Sequence, residues 1–333
     1  MAVLGAQNPG FERHTVTIRS SIDASGQQAL FYFPPEAAPD SKGEPVPLLV
    51  SLHTWGGTYL QGAEELAADR KWVKIAPDFR GPNRRPEACA SPPAIQDILD
   101  AVAYAKTKAR IDESRIYLVG ASGGGHMALM MAAKAPAIWA GVSAWVPISD
   151  LTAWRAFHGP ADCYGKDMDA VCGGAPGTPE TDAQYKARSP IHFLPAARGV
   201  PIDINAGIHD GHKGSVPISH SLHAFNVLAE ANGLADKKIP DADIQFMTRA
   251  EKVPPALAAE TETDPERKRA VLFRRVAGPV RITLFEGGHD SEEGGAALDW
   301  LGRQQKGSPA RFDVPLSKSS KPAGTHAVQQ VAR

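Results

Sequence analysis

The sequence is short of several things, and each shortage excludes something. It has three cysteines in 333 residues, and their positions do not have metal-site spacing. Its formal net charge is −1, so there is no electrostatic footprint for nucleic acid or an anionic membrane surface. No apolar run reaches the ~18 residues that a spanning helix needs. Residues 1–11 lack a basic n-region and an apolar h-region, so no signal peptide is visible there. What remains, at 43% hydrophobic and 22% charged residues, is the composition of an ordinary globular protein.

The cysteines bear on location. Cys163 and Cys172 bracket a short polar stretch in a segment rich in Gly and Pro. A disulfide between them would staple that segment and would favour an exported location over the cytoplasm. Two reduced thiols are the alternative, and Cys89 is either left over or paired with one of the two.

Short apolar strands alternate with helical patterns, the signature of a mostly parallel sheet with crossover helices. An antiparallel pair opens the chain at 15–19 and 29–33. Strands then follow at 48–52, 72–76, 116–119, 140–146, 201–206 and 280–285, with helices at 94–109, 122–135, 218–231 and 292–304. The order is that of one doubly wound α/β domain over residues 12–306, with a sheet of about eight strands. Two stretches interrupt it. Residues 149–195 form a cap-like insertion, and the charged, Pro-rich residues 232–278 form a surface excursion with a short helix near 255–260. The polar tail 307–333 is expected to be partly disordered, over its last ~15 residues.

The most informative segment is Gly120-Ala121-Ser122-Gly123-Gly124, a G-x-S-x-G that follows an apolar strand and opens a helix. A serine at such an elbow needs neighbours without Cβ, because strand and helix backbones crowd there. The helix N-terminus also favours a developing oxyanion. A serine hydroxyl becomes a nucleophile only beside a base, and the base works best when a carboxylate orients it. Candidates belong at the carboxyl ends of later strands, where open parallel sheets bind ligands. His289 follows the strand 280–285 through a Gly-flanked loop and is the candidate base. Asp210 follows the strand 201–206 and is the candidate acid. Asp203 lies inside that strand and is the poorer choice, and Asp290 adjoins His289 too closely to orient its ring. The oxyanion hole is assigned to the backbone N–H groups of Gly123 and Trp55, the latter from the loop after the strand 48–52. His126, one helical turn beyond Ser122, packs beside the elbow. With Trp55, Trp154 and Tyr164 it is placed among the residues that line the substrate. A metal reading of His209, Asp210, His212, His220 and His223 is weaker, since no H-E-x-x-H frame accompanies them. The chemistry needs no cofactor.

The chain order Ser…Asp…His is that of α/β hydrolases. With Leu52-His53-Thr54-Trp55-Gly56-Gly57, Ala76-Pro77-Asp78-Phe79-Arg80-Gly81, Ser189-Pro190-Ile191 and Glu286-Gly287-Gly288-His289, the chain resembles the α/β-hydrolase superfamily. It is most similar to the catalytic domains of the prolyl oligopeptidase family and to feruloyl-esterase-like and dienelactone-hydrolase-like esterases. The resemblance spans residues 12–305 and implies a serine hydrolase. Peptidases of this family usually carry a β-propeller before the hydrolase domain, and only about 45 residues precede the first hydrolase-type strands' end here. That favours ester over peptide hydrolysis. The bulky His53-Thr54-Trp55, where His-Gly is common, narrows the acyl side. Trp154, Arg155, His158 and Tyr164 suit a polar aromatic or sugar-linked alcohol. The expected substrate is therefore a small-molecule or oligosaccharide ester, with short peptides as the alternative.

Overall fold

The computed structural model describes residues 12–61, 64–261, 263–291 and 295–313. The leader reading at residues 1–11, the first residues of the closing helix and most of the tail fall outside these. The chain folds into one sheet with helices on both faces. Its strands are β1 (Glu12–Arg19), β2 (Gly26–Phe33), β3 (Val46–Leu52), β4 (Val73–Pro77), β5 (Ile111–Ala121), β6 (Gly141–Trp145), β7 (Ile202–Gly207), β8 (Val271–Ala277) and β9 (Val280–Phe285). They lie side by side in the order β1-β2-β4-β3-β5-β6-β7-β9-β8. The block from β4 to β9 is parallel, while β1, β2 and β8 run against their neighbours.

The sheet has nine strands rather than about eight. The additional one, β8, lies in the segment read as a surface excursion. Its sequence Val271-Leu272-Phe273-Arg274-Arg275-Val276-Ala277 looks charged at its centre. Those charges are met locally: Arg274 donates to Thr283 Oγ1 at 3.1 Å and to Asp264 at 2.8 Å, and Arg275 pairs with Glu260. The same segment holds a helix over Asp241–Ala250 and a 3-10 turn over Pro255–Glu260.

Central strands are buried on both faces, and their near-continuous apolar runs follow from that. Leu48, Val50, Ile116, Leu118, Val142, Ile202, Ile204 and Ile282 all lie in the main core. The helices over them are α1 (Glu64–Asp69), α2 (Pro92–Lys108), α3 (Gly123–Lys134), α4 (Leu151–His158), α5 (Cys163–Cys172), α6 (Pro179–Ala187), α7 (Ser219–Ala231), α8 (Asp241–Ala250) and α9 (Gly295–Leu301). In α2, Ser91 caps the N-terminus by accepting from Ala94 N–H, and Ala94, Ile98, Ala101, Val102 and Ala105 form the buried stripe. In α3 every residue from Gly123 to Ala133 is buried.

The register decides where the site lies. Leu52 pairs with Gly120, Ala121 with Trp145, and Gly207 with Phe285. The carboxyl ends of β3, β5, β7 and β9 therefore form one edge, from which the loops bearing Trp55, Ser122, Asp210 and His289 all emerge. The chain leaves β3 for β4 on one side and returns to β5 on the other. The loops after β3 and β5 diverge at that switch point, which is where such sheets open a crevice.

The insertion folds as three short helices, α4, α5 and α6. Asp150, Asp162 and Thr178 cap their N-termini. Asp169 joins them, accepting from Arg155 of α4 at 2.7 and 2.8 Å and from Tyr185 of α6 at 2.9 Å. The proposed Cys163–Cys172 disulfide is not formed. The two residues are the first and last of α5, and the helical rise sets them about 13 Å apart, against a Cα separation of under about 7 Å for a disulfide. All three cysteines are free, so the pairing lends no support to export. No helix among the described residues is long and apolar enough to cross a membrane.

Candidate active site

Ser122 sits between β5 and α3 with φ 57° and ψ −119°. A non-glycine residue in that region is strained and persists because its surroundings hold it. Its N–H donates to Trp145 O at 2.9 Å, and its carbonyl accepts from His126 N–H at 2.8 Å. The turn is pressed against the loop after β3. A Cβ on Gly123 would lie 2.4 Å from Trp55 N and 2.5 Å from Trp55 Cα. Only glycine permits that approach of the turn to the loop backbone. The loop is held in turn by His53, which stacks on Phe79 with ring centroids 3.9 Å apart and sits between the carbonyls of Thr54 and Asp78. Gln61 Oε1 accepts from Thr54 N–H and Oγ1–H, both at 2.9 Å.

Asp210 and His289 meet across 79 residues of sequence. His289 Nδ1–H donates to Asp210 Oδ2 at 2.8 Å, and the Asp210 carboxylate is buried. The other oxygen, Oδ1, accepts from the N–H groups of Gly211 at 2.9 Å and Val216 at 3.1 Å. Three donors thus fix the carboxylate, and one of them fixes the ring. Gly214 is required beside this pair, since a Cβ there would fall 2.4 Å from both Asp210 Oδ1 and His289 Cβ. Among the described residues, neither His289 Nε2 nor Ser122 Oγ has a hydrogen-bond partner. Asp203, by contrast, is locked inside the sheet against Arg281 at 2.7 Å.

The remaining expected site residues are placed differently. His126 is fully buried and donates from Nε2 to Arg188 O at 2.7 Å; burial pushes its pKa down to about 4 and keeps it neutral. Trp154 is also fully buried. Its Nε1–H donates to Ser215 O at 2.7 Å, and the same carbonyl lies 2.8 Å from His158 Nε2. The Trp55 indole packs edge-to-face on Trp154 at 4.7 Å and donates to Asp167 at 3.1 Å. Tyr164 is half-buried against both tryptophans. These aromatics form the apolar seat of the cap, with Ile148, Leu151, Met168 and Val216, and they present little face to a substrate. Ser215, which bolts the cap to the Asp210 loop through its carbonyl, carries no sequence signal because any residue has that group. Among the described residues, no three His, Cys, Asp or Glu side chains converge as metal ligands.

Residues 92–248 match the prolyl oligopeptidase family. That stretch is a little under half of the chain, and the fold around it is the α/β-hydrolase fold. The matched stretch runs from α2 to α8, so it contains Ser122 and Asp210 while His289 lies beyond it. Compared with curated proteins, the chain matches none. Among solved structures, the chain is similar to the acylaminoacyl peptidase of Pyrococcus horikoshii at 17% identity and a TM-score of 0.62. That likeness covers 92% of this chain and 43% of the peptidase. A puromycin hydrolase is similar at 18% identity and a TM-score of 0.55, covering 85% of this chain and 36% of its own. Oligopeptidase B of Leishmania major is similar at 12% identity and a TM-score of 0.55, covering 88% and 35%. At such identities the likeness is one of fold. The chain thus spans less than half the length of these proteins.

Proposed function

We propose that the chain is a serine peptidase that cleaves short peptides through an acyl-enzyme intermediate. His289 Nε2 takes the Ser122 proton as Oγ attacks the scissile carbonyl, and later returns a proton to the leaving amine. Asp210 holds the tautomer in which Nδ1 carries hydrogen and stabilises the imidazolium. The backbone amides of Gly123 and Trp55 receive the oxyanion. No cofactor enters these steps.

The observation that carries the peptide reading is the match of residues 92–248 to a family of oligopeptidases. It outweighs the ester reading, whose suggested aromatic or sugar-linked substrate drew on cap aromatics read as facing the site. Trp55 and Trp154 are 2% and 0% exposed, so they offer no platform for a sugar or an aromatic acyl group. The test is a side-by-side panel of dipeptide nitroanilides and acetyl, butyryl and feruloyl esters. Peptide amides should turn over with kcat/KM comparable to the best ester, and a fluorophosphonate probe should label Ser122. Turnover confined to esters would overturn the peptidase reading. Ser122→Ala should abolish labelling and lower kcat by roughly 10³- to 10⁶-fold; retained activity in that variant would sink the nucleophile assignment.

A further inference from the structure

His209 immediately precedes Asp210 and takes no part in the chemistry above. Its ring lies between two carboxylates: Nδ1 is 2.7 Å from Glu251 Oε2, and Nε2 is 2.7 Å from Glu286 Oε1. A neutral imidazole has one N–H and can donate to only one of them. Both bonds are made together only by the imidazolium. The two carboxylates come from different elements. Glu251 caps the C-terminus of α8 with φ 53°, and Glu286 begins the loop that carries His289. A backbone bond also joins the Asp210 and His289 loops, His209 N–H donating to Gly287 O at 2.9 Å, while Glu286 N–H donates to Ala270 O, just before β8, at 2.9 Å.

The charges around the ring come from each neighbouring element. From α8 there is Glu251, together with the negative end of the helix dipole, which favours a cation. From the loop after β9 there is Glu286; farther along it, Arg269 pairs with Asp290 at 2.7 Å. From its own loop there are Lys213, whose charge opposes the imidazolium, and His212. The latter donates to Thr248 O at 2.7 Å and lies 3.7 Å from Glu251. Asp210 is turned away, toward His289. The carboxylates prevail: Glu286 first and Glu251 second raise the His209 pKa above the ordinary histidine value.

We propose that the His209 imidazolium is a positioning residue, fastening the Asp210 loop to the His289 loop through Glu286 and to α8 through Glu251. Its catalytic consequence rests on the serine-hydrolase reading given above; its geometry does not. Because the folded-state pKa is raised, the fastening is fully present below the ordinary histidine pKa and is lost as pH rises through the elevated one. Alkaline pH therefore loosens the Asp210–His289 pair.

Glu286→Gln separates this idea from a merely structural role. A glutamine amide can donate to a neutral ring nitrogen, so both bonds survive without charge on His209. In the full-length protein, fluorophosphonate labelling of Ser122 should fall about tenfold between pH 7 and pH 9, a fraction of the roughly 10²- to 10⁴-fold that an oriented base contributes. In Glu286→Gln that alkaline fall should disappear, and in His209→Gln labelling should be slow throughout. Superimposable alkaline limbs in wild type and Glu286→Gln would overturn the proposal. Two NMR readouts in Ser122→Ala protein need no catalysis. The His209 ring should titrate above the ordinary value, and the downfield His289 Nδ1–H signal should be lost as His209 deprotonates but persist in Glu286→Gln. If the probe never labels wild type, the hydrolase reading fails while these titrations still decide the fastening. An ordinary His209 pKa, or an Nδ1–H signal indifferent to it, sinks it.

Discussion

At the scale of single residues, the site depends on one close approach. Gly123 lies so near the loop after β3 that its missing Cβ would overlap Trp55 N and Cα. Backbone cannot yield as a flexible side chain can. In Gly123→Ala the loop over residues 53–57 must move, and with it the Trp55 N–H proposed as an oxyanion donor. The expected result is a drop in kcat of about 10²- to 10³-fold, the size of losing an oxyanion donor. The strain should also cost roughly 1–3 kcal/mol of stability. Steady-state kinetics and thermal melts check this together. A folded variant with wild-type kcat would show that the approach has no role in catalysis.

At the scale of elements, β7 and β9 are held by more than their ladder. Asp203 of β7 and Arg281 of β9 form an ion pair inside the sheet at 2.7 Å, and both are nearly inaccessible to water. Burial alone would raise the Asp203 pKa, but the Arg281 guanidinium outweighs it and holds the carboxyl below its usual value. Asn205 donates to the same carboxylate at 2.9 Å, and Arg267 lies 3.8 Å away. These strands lead into the loops that carry Asp210 and His289, so the pair helps hold together the two elements from which those loops emerge. Removing one partner leaves a buried charge, whereas removing both does not. Arg281→Met should therefore destabilise the protein by about 3 kcal/mol, the lower part of the usual range because Arg267 and Asn205 remain. Adding Asp203→Asn should restore much of that loss. Urea unfolding of the single and double variants measures it, and an additive double variant would contradict the coupling.

At the scale of the whole molecule, buried histidines set the acid limit. Burial pushes the pKa of both His126 and His220 down to about 4, whereas an unfolded chain binds the proton near 6.5. Between those values the unfolded state takes up protons that the folded state refuses, so stability falls as the pH drops. The loss is on the order of 3 kcal/mol for each histidine by pH 4. His126→Gln keeps a donor for Arg188 O, and His220→Asn keeps an acceptor for Ser149 N–H, 3.3 Å from the ring. Both variants should lose stability less steeply between pH 7 and pH 4.5 than wild type. Parallel slopes would mean that other groups govern the acid transition.

Much of this architecture is local and is therefore legible in the sequence. Apolar runs of strand length and the Gly-rich turn at Ser122 are decided by residues near one another in the chain, and they dictated the α/β order. Asp210 and His289 could be singled out because each follows a strand by a few residues, at the edge where such sheets bind ligands. What the sequence left open depends on contacts across long separations. The charges of β8 look like surface until Asp264, Glu260 and Thr283 are in place. The Cys163–Cys172 spacing permits a disulfide until the segment between them becomes a helix. Trp55 and Trp154 read as a substrate platform, and only the seating of the cap on Ser215 turns them into core. The same holds for His209, whose partners lie 42 and 77 residues away. Side-chain identity determined which groups could act, and tertiary packing decided which of them are buried, paired or open to solvent.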